Sequence, residues 1–147
     1  MRSLAIDLGT KRVGLALSDE GGRFATPFDV LEVAHPKDAE ERIARVIEVE
    51  GVQRIVVGLP LNMDGSFGAA ARQAVEWGSA LAGRSNVPAV FVDERLSSFE
   101  AEQQLIERKR GGEKITRKGK KQRLDALAAA GFLQAFLDGK IPALDVS

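Results

Sequence analysis

The chain has 147 residues, 44% hydrophobic and 29% charged, with 21 basic and 21 acidic residues. That length suits one domain spanning residues 1–147, and the composition lies far from the disordered range. Neither a membrane-spanning run nor a signal peptide is present, Asp7 interrupting the first apolar segment, so a cytoplasmic protein with no membrane partner is expected. With no Cys, no Tyr and only His35, which precedes Pro36, thiol catalysis, tyrosine-linked strand transfer and Cys/His zinc sites are excluded, leaving carboxylates to carry any chemistry.

The first two apolar runs, Leu4 to Asp7 and Val13 to Ser18, flank a Gly-containing turn and predict a β-hairpin. Asp7 follows Leu4, Ala5 and Ile6 directly. It reads either as a hard-metal ligand held on a stiff strand at the edge of solvent, or as the opener of the turn through its own side chain. Phe24 to Val33 predicts a third strand, at a sheet edge or irregular at Pro27. His35 and Pro36 mark a helix start, and the spacing of Ile43, Val46 and Ile47 predicts a helix over Lys37 to Glu50, stopped by Gly51.

Ile55 to Val57 is a short continuous apolar run that suits an inner strand covered on both faces. The loop Leu59 to Gly68 leads into a second helix with Ala70, Gln73, Ala74, Trp77 and Leu81 on its inward face. Val87 to Val92 predicts another buried strand, ending in Asp93, Glu94 and Arg95. The Ser-x-x-Glu pattern of Ser97 to Glu100 predicts a capped third helix with Ala101 and Leu105 inward.

From Arg108 to Arg123 nine cations stand against the single Glu113, a local excess of +8 that the rest of the chain balances with −8. With Gly111, Gly112 and Gly119 inside it, this segment reads as a loop, either merely solvated or following a polyanion. The pattern from Lys121 to about Gly139 predicts the last helix, with Asp125 in its first turn. That placement alone would be worth about 0.3–1 kcal/mol through the helix dipole. The whole is α/β: a mixed sheet of five strands, three antiparallel and then parallel, with helices on both faces.

Asp7, Glu94 and Asp125 thus stand at strand ends or a helix start, and an open sheet can bring such positions together at one crevice. Convergent carboxylates of this kind hold Mg²⁺ or Mn²⁺ and support phosphodiester hydrolysis, and the basic segment would attract the nucleic acid. Asp93 neighbours Glu94 on a strand and should face away from it. Asp19 should lie near the opposite edge of the sheet.

Four stretches, DLGTKRVGLALSD, VVGLPLNMDGS, FVDERLSS and LDALAAAGFLQ, resemble in order the motifs of the YqgF/RuvX family, described as pre-16S rRNA nucleases or Holliday junction resolvase-like proteins. The resemblance covers nearly the whole chain. It implies an RNase H-like fold, a metal-dependent nuclease of structured RNA or branched DNA, and a metal-binding triad at Asp7, Glu94 and Asp125. It also implies that Gly9, Thr10, Lys11, Arg12, Asn62 and Arg95 surround the site, the cations meeting phosphate and Asn62 giving a supporting hydrogen bond. Lys114, Arg117, Lys118, Lys120 and Lys121 of the basic segment are the further candidate substrate contacts.

Two other readings compete. Asp7-Leu8-Gly9-Thr10 before a hairpin also resembles the first phosphate motif of the actin, Hsp70 and sugar-kinase superfamily, which needs two such domains to enclose ATP. A non-catalytic RNA-binding module would use the basic segment alone. A monomer or a homodimer is compatible with the sequence, the dimer being favoured by a symmetric four-way junction. The residues from Ile141 onward carry no pattern that suggests a role.

Overall fold

A computed structural model describes residues 1–96 and 117–146, the side chains of 96 and 117–123 excepted. Strand β1 (Ser3–Leu8) and β2 (Arg12–Ser18) form the expected hairpin, closed by a Gly9 N–H that donates to the Arg12 carbonyl at 2.9 Å. Strand β3 (Ala25–Glu32) pairs antiparallel with β2 at the sheet edge. Its register shifts where Leu15 faces Asp29 and Ala16 faces Pro27, so the irregularity falls at the proline, which has no N–H to give the ladder.

A 3₁₀ turn, Pro36–Ala39, precedes helix α1 (Glu40–Glu50). The single helix expected from Lys37 is therefore split. Pro36 starts the turn, the His35 ring accepts the Lys37 N–H, and the Asp38 carboxylate accepts the His35 N–H, an exchange that holds the tight geometry. Gly51, at φ 65°, ends α1 in the left-handed conformation.

Strand β4 (Arg54–Leu59) runs parallel to β1, and β5 (Ala89–Asp93) parallel to β4, giving the order β3-β2-β1-β4-β5. Helix α2 (Ala69–Ser85) connects these two strands. It buries Ala71, Ala74, Gly78, Leu81 and Ala82, whereas Ala70 and Gln73, expected inward, are exposed. The reason is close approach: a Cβ on Gly78 would stand 2.9 Å from the Phe91 ring and 3.1 Å from Val57, so the helix turns its smallest residue to the sheet.

Helix α3 (Arg117–Leu137) begins well before the expected Lys121, Arg, Lys and Gln being good helix formers. Asp125 accordingly lies two turns inside the helix, and the dipole reading does not apply to it. Residues 117–120 are helix and not loop, which corrects the loop reading for Arg117, Lys118 and Lys120, while Lys121 is helical as expected. The capped helix expected from Ser97, with Ala101 and Leu105, and the candidate contact Lys114 lie outside the described residues.

The sheet separates two cores. Leu4, Ile6, Val13, Leu15, Ile55, Val57 and Phe91 pack on one face with Ile43 and Ile47 of α1 and Ala74 and Leu81 of α2. Ala5, Ala16, Val56 and Val92 face Ala129, Phe132 and Leu133 of α3 on the other. The strand alternation produces this division, neighbouring residues pointing to opposite faces. Val56 between Ile55 and Val57 makes β4 the doubly covered strand that its sequence predicts. Beyond α3, Ile141 is buried and the Leu144 N–H donates to the Phe91 carbonyl at 2.7 Å, so the chain end lies along β5 and covers part of that edge.

Candidate active site

Asp7 sits on the central strand, in register with Gly14 of β2 on one side and Gly58 of β4 on the other. Directly opposed residues share a face, so both glycines lie beside Asp7 under α3. A Cβ on Gly14 would collide with the Asp125 carbonyl, and one on Gly58 would stand 2.7 Å from the Phe132 ring and 3.0 Å from the Glu94 Cβ. The two bare positions let α3 settle on the sheet directly over Asp7. This brings Asp125 and Glu94 to it from the far parts of the chain. Glycine inside a strand is a signal of close approach, and sequence reasoning passed over both.

Glu94 is the first residue of a 3₁₀ turn that leaves β5, Glu94–Leu96. The strand has ended there, so Glu94 escapes the alternation that sends Asp93 elsewhere, and its side chain hydrogen-bonds with Asp7. Burial is the main cause that pushes the Glu94 carboxyl up to about 9, with the Asp7 charge, the hydrogen bond to Asp7 and the Asp93 charge adding to it. Burial also raises Asp7, the Asp125 charge adds, and the hydrogen bond from Glu94 opposes. At neutral pH Glu94 therefore keeps its proton, which it shares with Asp7.

Asp125 is near enough to raise Asp7, but its own carboxylate is engaged elsewhere. Arg12 Nε stands 2.6 Å from Asp125 Oδ2, with both side chains about a third exposed, 34% and 27%. Among the described residues no three His, Asp or Glu side chains are gathered as an ion would need them. The donor set nevertheless fits a hard divalent cation. All its atoms are carboxylate oxygens, and two of the groups are partly desolvated and hold a proton that a cation would displace. Asp7, Glu94 and Asp125 are the residues that would hold it.

The remaining expected residues divide into two groups. Thr10 and Lys11 are exposed at the hairpin turn, and Lys11 and Arg12 line an open cleft of about 480 Å³ with Glu32, Val33 and Ala34. Arg95 and Asn62 are committed to the protein itself. The Arg95 guanidinium grips Asp93 through Nε at 2.9 Å and Nη2 at 2.7 Å, and Nη1 donates to the Asn62 and Met63 carbonyls at 2.6 and 3.2 Å. Arg95 thus ties the end of β5 to the loop after β4. The Asn62 amide donates to Ser66 Oγ at 3.0 Å and packs where a Gly68 side chain would be. Asp93 is held below the usual carboxylate range chiefly by Arg95. This strut is a second feature that sequence reasoning missed, its one trace being the Asp-x-Arg spacing of Asp93 and Arg95.

Asp19 lies at the other end of the sheet and accepts the N–H groups of Arg23 and Phe24 at 2.8 and 2.9 Å, which also lower its pKa. It closes the turn between β2 and β3.

Comparison with known proteins agrees with this architecture. Among solved structures, Thermus thermophilus RuvC in complex with a Holliday junction substrate superposes with a TM-score of 0.60 at 20% identity, covering 98% of this chain and 100% of that one. A Fowlpox virus resolvase with Holliday junction DNA gives 0.58 at 10% identity, covering 95% and 98%. The chain has the RNase H-like fold of these resolvases.

At the level of sequence, the "Putative pre-16S rRNA nuclease" of Pelotomaculum thermopropionicum is 43% identical over 141 residues, 95% of this chain and 88% of that protein. The protein of the same name from Anaeromyxobacter is 44% identical over 140 residues, 95% and 98% of the two chains. The model of the family described as "RuvX: Holliday junction resolvase" matches residues 1–139, a span that contains the acid pair, Arg12 and Asp125 together. With a family model matched from the first strand to the end of α3, and relatives this similar over almost their whole length, the chain belongs to the RuvX family.

Proposed function

We propose that the protein is a Mg²⁺- or Mn²⁺-dependent nuclease that hydrolyses phosphodiester bonds in structured nucleic acid, with pre-16S rRNA as its substrate. The observation that carries the reading is the half-buried Asp7–Glu94 pair beneath α3 with Asp125 beside it. Two partly desolvated acids held in contact, each with a raised pKa, are the mark of a functional site. The names of the relatives support the ribosomal RNA substrate.

Bound at Asp7, Glu94 and Asp125, the cation would supply a lowered pKa for the attacking water and charge for the leaving oxygen. The chain's own residues do the rest. Lys11 and Arg12 meet substrate phosphate from the hairpin turn, and the Arg95 strut keeps the loop after β4 in place beside the acids. The basic residues Lys114, Arg117, Lys118, Lys120 and Lys121 add sequence-independent attraction. On this reading the protein works in the cytoplasm.

A second reading, resolution of branched DNA, is favoured by the family description and by the RuvC-like fold. Symmetric cutting of a four-way junction would call for a two-fold homodimer, whereas end processing of an RNA can be done by a monomer. The deciding experiment is cleavage of a precursor 16S fragment and a DNA four-way junction side by side, with Mg²⁺ and with Mn²⁺. Preferential cleavage of the RNA supports the first reading; cutting of the junction in paired strands with the RNA intact replaces it with the second.

A further inference from the structure

The ion pair between Arg12 and Asp125 has the wrong partner for a metal ligand. A carboxylate that accepts a guanidinium at 2.6 Å has an oxygen occupied by a full positive charge, and a cation approaching the same carboxylate meets that charge first. Arg12 is also one of the residues that line the open cleft beside the hairpin turn, with Lys11 next to it. Its guanidinium therefore stands between two anions that it can serve: a carboxylate of the site and a phosphate arriving along the cleft. The geometry of a guanidinium suits both equally, each offering two oxygens to its fork of N–H donors.

We propose that Arg12 is a positioning residue that holds Asp125 away from the divalent cation until a substrate phosphate draws its guanidinium off, so that nucleic acid and cation bind cooperatively. The proposal rests on the nuclease reading and deepens it. The backbone around the exchange is fixed on both sides. Arg12 is the first residue of β2, only two positions before Gly14, and Gly14 is the residue against which the Asp125 backbone is packed. Only the Arg12 side chain and the Asp125 carboxylate need to turn. Both are partly exposed, so the exchange passes through water and leaves neither charge stranded in the core.

The exchange has a reciprocal consequence. If phosphate frees Asp125 for the cation, then the cation, by holding Asp125, frees Arg12 for phosphate, and each ligand raises the affinity of the other by the same factor. An enzyme built in this way binds its cation weakly when idle and tightly once a backbone lies in the cleft. Arg12 acting only as an anchor between the hairpin and α3 would leave the two affinities independent.

The test is calorimetric titration of the full chain with Ca²⁺, an oxygen-preferring cation chosen to limit turnover, in the absence and presence of a short duplex RNA, corrected for Ca²⁺ bound by the RNA alone. Wild type, Arg12→Gln, Arg12→Lys and Lys11→Gln are compared. Lys11→Gln removes the same charge one residue away from the ion pair and so reports the general electrostatic effect. The expected result, read at saturating RNA for each protein, has three parts: RNA tightens Ca²⁺ binding to wild type by about fivefold or more; Arg12→Gln binds Ca²⁺ tighter than wild type without RNA and gains little when RNA is added; and Lys11→Gln, although it needs more RNA to saturate, keeps the enhancement. Arg12→Lys, charged but without the fork, falls between.

Equal Ca²⁺ affinities for wild type and Arg12→Gln, equal shifts in Arg12→Gln and Lys11→Gln, or an RNA enhancement that survives in Arg12→Gln overturn the exchange while leaving the nuclease reading intact. Wild type that binds neither Ca²⁺ nor RNA overturns both.

Discussion

At the scale of single residues, Glu94 governs how the protein responds to pH. The folded chain holds the Glu94 proton up to about 9, whereas the unfolded chain releases it near the ordinary value of 4.5. Between those values the folded state binds more protons, so its stability falls as pH rises through the window. Without divalent cation, thermal unfolding of wild type in EDTA should therefore shift downward from pH 5 toward pH 9. Glu94→Gln keeps the shape and the donor while removing the titration. It should flatten the profile and be the more stable protein at pH 8, with the higher Tm. A wild-type profile as flat as that of Glu94→Gln would show that the pair does not share a proton.

Asp19 gives the contrasting case among the acids. Its carboxylate accepts two backbone N–H groups at the end of the sheet away from Asp7. Asp19→Asn should lower stability slightly through the weakened turn and leave turnover within a few-fold of wild type. Asp7→Asn and Asp125→Asn should do the reverse, abolishing cleavage while the fold survives. Urea midpoints and cleavage rates on the same four proteins separate the two patterns.

At the scale of elements, the placement of α3 decides whether a site exists. Its approach depends on Gly14 and Gly58, which flank Asp7 in the sheet. Gly58→Ala must push the Phe132 ring or the Glu94 side chain aside, an overpacking cost of about 1–3 kcal/mol, and should lower cleavage beyond what its stability loss explains. Gly78→Ala strains the packing of α2 on the opposite face, against Phe91 and Val57. It should lose comparable stability and retain turnover at temperatures where it is folded. Rates measured well below each Tm distinguish a displaced site from a weakened fold.

The same helix marks where the sequence was hard to read. The apolar spacing from Leu124 onward located its buried half, because burial imposes periodicity; the cationic half before it carries no such imprint and read as loop. Its role in binding remains a matter for salt dependence. If about half of the nine cations between Arg108 and Arg123 meet phosphate, log affinity should fall against log salt with a slope near −4 on duplex DNA. Replacing Lys114, Arg117, Lys118, Lys120 and Lys121 with Gln should flatten that slope by several units and raise KM, with turnover at low salt little changed. Superimposable salt lines for parent and variant would remove the segment from the nucleic-acid contact.

At the scale of the whole molecule, strand order and the separation of two cores follow from features visible in the chain: period-two apolar runs, a proline at the irregular edge, and glycine stops. The meeting of Asp7 with Glu94 was legible because both stand where strands give way to turns. What was hidden depends on contacts between distant segments. The Arg95 strut joins two loops 33 positions apart, from Arg95 Nη1 to the Asn62 carbonyl. The chain end covers β5 through the Leu144 N–H, a backbone bond that side-chain identity does not announce.

Strand β1, the turn after β5 and helix α3 bring their acids together, and the most direct measurement is of that site's chemistry. Single-turnover cleavage of a precursor 16S rRNA fragment is followed for wild type and Glu94→Gln, each with Mg²⁺ and with EDTA. Cleavage should occur only with wild type and Mg²⁺, while Glu94→Gln still binds the RNA and unfolds cooperatively. Cleavage by Glu94→Gln at the wild-type rate, or stoichiometric cleavage by wild type in EDTA, with contaminating nuclease excluded, would contradict a hydrolytic centre built on Asp7 and Glu94.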